Sequence, residues 1–486
     1  VWRGRVEGAA VTVVAVRREA RRMLRGPLVA GVMMLYALLL AYGGVQSVRH
    51  VRSLRAQVSA AAEDQASRWA SLRAAARGPR TTWSDGRSAS LVGGPVGFGV
   101  ATMPVDRLAG LSVGESTRVA PTRRVSIYAG DDEPPLENPL AAAGGRFDLA
   151  FVVTWLLPLA LIVAGHGAVS GDRQDGIWSL VLSTGASPVA VAGRRLLVPA
   201  VMLLAMTLAG GVASVAANGA PPGANETVRL AAWASAVVLY TVIWLGLTAL
   251  ATMGAPASAT ALLALGLFWL TAVWAVPAAV DAGALLAHPP PNRWAGQLTA
   301  RDATRDLDAR LPAMLETVYA EHPEWRPSDA EVAAARKPVP GGPASGDARR
   351  VYVPARIAAA EDAVHRAALR TWRVAVEAVV NRAGLLSPAL LVQRVGDDVS
   401  GLSASRFAAF DARVDDLERG WHAFFAPRIM RLADLTGADL ATAPLPEPGG
   451  VALPPSSVLS GALLALAAWA TGVGVLVGRA RPWLHR

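Results

Sequence analysis

The sequence predicts an all-α polytopic membrane protein, with six transmembrane helices plus a mainly helical extracytoplasmic domain that has a minor α/β part. Three observations predict it. Of 486 residues, 53% are hydrophobic and only 17% are charged. The apolar residues gather into blocks longer than about 18 residues, the length that carries a helix across a hydrocarbon core. The arginines, in turn, are shared unevenly among the segments that separate those blocks.

Residues 1–26 form a cytoplasmic, Arg-rich entry. Val11, Val14 and Ala15 are set against Arg17, Arg21, Arg22 and Arg25 in helical rhythm, the pattern of a basic helix lying on anionic lipid. The first span is expected over 27–48. It follows a basic start as a signal peptide does, but its apolar run exceeds the usual length and LLLAYGGVQS lacks an A-x-A cleavage pattern. An uncleaved anchor is therefore expected.

Residues 49–146 make a first extracytoplasmic insertion. It opens as a continuing helix with Val48, Val51, Val58, Trp69 and Leu72 as packing positions, and Gly78–Pro79 ends it. Loops with short strands such as RRVSIYAG follow. The block 147–280 is expected to carry spans at 147–169, 196–217, 229–252 and 257–280, with a cytoplasmic segment at 170–195 between the first two.

Residues 281–455 make a second, helical insertion. Phe407, Phe410, Val414, Leu417, Trp421 and Phe424 recur at spacings of three and four, an apolar seam on one helix. A second helix carries Ile357, Val364, Ala368, Trp372 and Val379, and a third is expected near 297–321. KPVPGGPASGD at 337–347 is expected to be a connector, and APLPEPGGVALPPSS at 443–457 a stiff return. The last span is expected over 456–478, before a cytoplasmic tail at 479–486.

Charge placement sets the expected orientation. With the amino terminus inside, the pieces 1–26, 170–195 and 479–486 hold seven, three and three Arg against Glu7, Glu19, Asp172 and Asp175, a net +9 of the whole chain's +10. Such a bias toward one side is the positive-inside asymmetry, and the expected location is the bacterial cytoplasmic (inner) membrane with both termini cytoplasmic. The basic balance thus reports topology, and no nucleic-acid partner is expected. With no cysteine, disulfide, zinc-thiolate and iron–sulfur chemistry are excluded.

Motif absences narrow the function. The single lysine, Lys337, is followed by Pro, so there is no G-x-x-x-x-G-K-[ST] phosphate loop. H-E-x-x-H and G-x-S-x-G are also missing. No Asp, Glu, Lys or Arg lies deep in a span, whereas ion-coupled carriers place such groups at the midplane. His166 reads as a neutral interfacial histidine bonded to a helix carbonyl, Asn218 lies near a span end, and Asp148 and Asp281 read as solvated helix-end carboxylates. No catalytic residue, cofactor or metal site is expected.

The segment SGDRQDGIWSLVLSTGASPVAVAGRR remains. Asp172, Arg173 and Asp175 occupy a turn, and Gly176 leads into Ile177, Trp178, Leu180, Val181 and Leu182 before Gly185 and Pro188 break the pattern. A short helix along the membrane face, its apolar side expected inward and its charges toward the cytosol, would either dock in a groove of a soluble subunit or serve as an ordinary connector.

DRQDGIWSLVLSTGASPVAV resembles the segment between two spans in permease subunits of ABC transporters of the type-2 exporter class, E-x-x-x-G-[ST]-x-x-x-L-[LM]-[ST]-x-P-[LVS]. Asp172 stands in the glutamate's place and Gly176 in the glycine's; Ile177 departs from Thr or Ser, and Pro188 follows Ser183 after a longer gap. LENPLAAAGGRFDLAFVVTWLLPL at 136–159 and LLSPALLVQRVGDDVSGLSASRFAAF at 385–410 are similar to a bacterial branch of that class whose permeases carry a domain of unknown function. The resemblance implies a six-span half-transporter, itself no enzyme, that joins a cytoplasmic ABC ATPase dimer and a second permease copy or sister permease in the lipid bilayer. It also implies ATPase coupling through 171–188, with Asp172, Arg173, Asp175, Gly176 and Trp178 as coupling residues. It names no substrate. Two other readings stand beside the permease: an ATPase-coupled mechanotransmitter acting on a periplasmic or lipid-linked partner without moving cargo through its spans, and a membrane-anchored receptor or structural protein.

Overall fold

A computed structural model describes residues 21, 26–78, 87–128, 147–185, 187–219, 223–292, 307–335, 347–447, 449, 451 and 456–485. The basic entry at 1–26 and the connector at 337–347 lie almost wholly outside the described residues. In chain order the main elements are α1 (Pro27–Arg77), β1 (Gly99–Thr102), β2 (Thr122–Val125), α2 (149–165), α3 (Ser170–Gln174), α4 (Ile177–Ser183), α5 (Pro188–Ala216), α6 (Ala224–Gly254), α7 (Ser258–Ala287), α8 (Leu307–Glu321), α9 (Asp329–Ala335), α10 (Arg349–Ala383), α11 (Pro388–Ser400), α12 (Ala404–Met430), α13 (Gly437–Thr442) and α14 (Ser456–Ala480). The protein is an all-α polytopic membrane protein. Six helical stretches are long and apolar enough to cross a bilayer: α1, the stretch Leu149–Gln174, α5, α6, α7 and the stretch Leu459–His485.

The six spans enclose one apolar core, with α6 at its centre. Trp233, Val237, Tyr240, Ile243 and Trp244 of α6 are all buried. Lipid tails are as apolar as these side chains, so close packing rather than hydrophobic transfer must hold such helices together. Gly246 shows how: a Cβ there would meet Val473 of α14 at 2.4 Å, so only glycine lets the two backbones approach so closely.

Two spans loosen into π-helical turns, Val152–Leu156 in α2 and Leu270–Ala275 in α7. A π turn frees carbonyl oxygens from the regular ladder, and in an apolar bundle each needs another donor. The Tyr240 hydroxyl donates to Thr154 O (2.7 Å), Trp269 Nε1 to Trp155 O (3.2 Å), and the Ser387 hydroxyl to Ala272 O (2.7 Å).

The end of the bundle where α1 continues, called here the domain end, carries a second apolar core. α1 runs unbroken through 51 residues, about 76 Å at 1.5 Å per residue, from the spans into this domain. Val48, Val51, Trp69 and Leu72 are buried as the sequence pattern predicts. Trp69 meets Trp421 of α12 edge-on at 6.0 Å between ring centres, and Trp421 Nε1 donates to Gly93 O (2.7 Å). β1 and β2 pair antiparallel, Gly99 opposite Val125, and supply the small α/β part.

The α12 seam buries Phe407, Phe410, Val414 and Trp421, but Phe425 takes the fully buried place expected for Phe424. The seam expected on α10 is not buried: Ile357 and Val364 are exposed. α10 meets α12 instead through charge, with Arg366 and Arg370 on Asp415, Arg366 on Glu418 (3.0 Å) and Arg373 on Asp411 (2.9 Å).

α10 then descends along α7. Trp372 Nε1 donates to His288 O at the end of α7 (2.7 Å). Twelve residues further on, the turn Gly384–Leu386 reaches the middle of the spans, where Trp469 Nε1 of α14 donates to Leu385 O (2.8 Å). α11 climbs back between α6 and α14 and buries Ala389, Leu391, Val392, Val395 and Val399 in the span core. Within the block 281–455, residues 384–400 therefore sit among the spans.

Candidate functional site

At the opposite, loop end of the bundle, α3 and α4 form a bent pair between α2 and α5. Gly176 makes the bend: its φ of +72° lies in the left-handed region, which costs a residue with a Cβ about 1–2 kcal/mol. Ser187 caps α5 by accepting from Ala190 N, with Pro188 at its first turn.

Polar bonds tie this pair to four spans. Asp172 is ion-paired with Arg195 of α5, whose Nη1 also donates to Ala168 O (2.9 Å). Arg173 donates to Met253 O at the end of α6 (2.5 Å) and to Trp483 O beyond α14. Thr252 Oγ1 accepts from Val169 N (3.0 Å) and Ser170 N (3.1 Å), while Gln174 Oε1 accepts from Ser258 Oγ (3.1 Å) at the start of α7. Trp178 is buried with Val169, Ala192, Met253, Ala480 and Leu484, and its Nε1 donates to Leu484 O (2.9 Å).

The five sequence-predicted residues thus divide by face. Asp172, Arg173 and Trp178 turn inward and lock the pair to the bundle. Asp175 and Gly176 face outward. Beside them stand Ile177 and Leu180, 46% and 65% exposed, with Ser179, Ser183 and Thr184 exposed around them. Two outward apolar side chains at the tip of a clamped helix form a knob, with Asp175 exposed beside it. Reading the sequence for charge passed over this knob. Its signal was the spacing of 177, 180 and 184 opposite 178 and 181.

Other singled-out residues are placed as follows. His166 Nδ1 lies 3.1 Å from Val163 O, the expected helix carbonyl. Asp281 is exposed. Asp148, expected as a solvated carboxylate, is buried: Oδ1 accepts from Phe151 N (2.7 Å), capping α2, and Oδ2 from Val113 N (3.0 Å). Burial pushes its carboxyl above the ordinary range, against those hydrogen bonds. Asn218 is buried at the domain end of α5, and its amide has no hydrogen-bond partner. Among the described residues no group of three His, Asp or Glu is placed to hold a metal ion.

A family model described as a domain of unknown function, DUF3526, matches residues 293–445. That stretch is less than a third of the chain, and it holds the whole of α8 to α13. It therefore includes both the domain-end helices and the hairpin that descends among the spans. No curated protein and no solved structure matches the chain.

Proposed function

We propose that the chain is the membrane-spanning permease subunit of an ATP-driven ABC transporter of the exporter class, and that separate ATPase subunits drive it through residues 171–188. The observation that carries this reading is the clamped knob. A surface that transmits force must be exposed toward its driver and rigidly joined to what it moves. Ile177 and Leu180 supply the exposed part. Asp172, Arg173 and Trp178 join it to α5, α6 and the end of α14, so a push on the knob reaches several spans together. The positive-inside bias supports a cytoplasmic position for this end and an outer one for the domain end, in a bacterial cytoplasmic membrane. These 486 residues hold no phosphate loop, which supports an ATPase in a separate subunit.

One observation favours a variant of this reading, in which the ATPase works the external domain and no cargo passes through the spans. α1 joins the spans and that domain as a single helix without a break from Pro27 to Arg77.

The test uses the absence of native cysteine. Leu180→Cys, as the only thiol, is expected to cross-link to a co-purifying P-loop ATPase, with nucleotide changing the yield. Ser59→Cys, on the exposed domain-end part of α1, is the control. No cross-link at 180 in a preparation where the ATPase co-purifies would reject the knob as the docking surface; a chain that purifies without any ATPase would reject the transporter.

A further inference from the structure

At the domain end, where α1 leaves the spans beside the start of α2, a cavity of about 320 Å³ has Tyr42, Gln46, Arg49, Ser53, Phe147 and Asp148 in its lining. We propose that this cavity seats the phosphodiester headgroup of an anionic lipid, held by Arg49, Gln46 and Ser53, with the acyl chains laid along Leu35, Leu38, Tyr42 and Val45 of α1.

Depth comes first. The backbone at Gly43 touches that of Asp148, the residue that caps α2, so the cavity is level with the start of a span. Headgroup phosphates lie at that level.

Charge comes second. Arg49 is exposed and makes no ion pair or hydrogen bond among the described residues. Arginine reads a phosphate with two parallel N–H donors. The one lining carboxylate, Asp148, does not compete, because both its oxygens are taken by backbone N–H groups. Its burial also holds its carboxyl toward the neutral form.

Size and shape come third. The volume is at the lower end for small-molecule sites, room for a headgroup and not for tails. The tails need an apolar path outside it, and α1 provides one directly below. Leu35, Leu38, Tyr42 and Val45 are 48–61% exposed at spacings of three and four, a single stripe that ends under Gln46 and Arg49. Tyr42 and Phe147, with ring centres 5.4 Å apart, border the mouth. Aromatic rings favour that level of a bilayer.

The test takes the full chain in neutral detergent and adds phosphatidylglycerol, phosphatidylcholine or inorganic phosphate at equal phosphate concentration. Phosphatidylglycerol is expected to raise the melting temperature most and inorganic phosphate not at all. Arg49→Ala should weaken the phosphatidylglycerol effect about ten- to a hundredfold in concentration, as loss of a charge-assisted bond predicts, and Arg49→Lys should keep part of it. Because Arg49 is exposed and unpaired, its removal leaves the fold intact, and an unchanged melting temperature without lipid checks this. A fluorophore on Val45→Cys should be quenched more by brominated phosphatidylglycerol than by brominated phosphatidylcholine, and Arg49→Ala should erase the difference. Equal protection of wild type and Arg49→Ala would overturn the proposal. So would protection by inorganic phosphate alone, which makes the site one for a free anion, or efficient Val45→Cys cross-linking between two chains in a phosphatidylglycerol bilayer, which gives the stripe to a second copy.

Discussion

Trp178 joins the loop-end pair to the bundle in two ways, by packing among Val169, Ala192, Met253 and Leu484 and by its bond to Leu484 O. Trp178→Ala removes both. A buried Trp→Ala change costs about 3–5 kcal/mol, so the variant is expected to melt lower in detergent. Trp178→Phe keeps most of the packing and should lose about 1 kcal/mol. At the other end of the molecule His422, half-buried at the domain end, has its imidazole held below the ordinary 6.5 by desolvation first and then by Arg356 and Arg366. As pH falls below about 6.5 the unfolded chain takes up a proton that the folded one resists, so this histidine makes stability decline on acidification. The decline levels off once pH is below the depressed folded value. His422→Asn should flatten that part of the stability–pH curve, and unfolding midpoints measured between pH 7 and 5 check it.

At the scale of elements, the turn of the hairpin from α10 to α11 is fixed by single polar contacts, beside the apolar packing of α11. Ser387→Ala leaves Ala272 O in a π turn without its donor, and an unmet buried acceptor costs about 1–3 kcal/mol. The variant should unfold at lower temperature, and amide exchange should rise first in α11. Ser387→Thr, which keeps the hydroxyl, should lose less. This hairpin also marks where the sequence stops being readable. An unbroken apolar block has one solution in lipid, so all six spans were legible, and the pattern at Trp69 and Leu72 carried α1 on to Gly78. α11 is too short to register as a span and carries Arg394, Asp397 and Asp398. Its depth is set by Ala272 and Trp469, distant in sequence. The α10 seam failed for a related reason: Arg366, Arg370 and Arg373 gave that helix an ionic partner on another face. At the loop end the segment was legible but its two faces were not. Arg173 bonds to the carbonyls of Met253 and Trp483, and a backbone acceptor leaves no mark in a sequence.

For the whole molecule, the question is whether the domain at the domain end moves with the knob. The knob is clamped to α5, α6 and the end of α14, the hairpin packs on α6 and α14, and α1 runs from the bundle into the second core. Two routes thus leave the bundle for the domain, one through the hairpin and one along α1. They can be separated at Ala60, Ala61 and Ala62, where α1 is exposed or half-buried and has left the spans. Changing all three to Gly costs about 3 kcal/mol of local helix stability and makes a hinge without touching either core. With the proposed ATPase partner, the hinged variant is expected to bind it and to leave its ATP hydrolysis as in the wild type. If α1 carries the motion, a fluorophore pair between Cys at Ser67 and Cys at exposed Val212 should lose its response to ATP in the hinged chain. A response of full size there would leave the hairpin as the route, and Ser387→Ala should then reduce it.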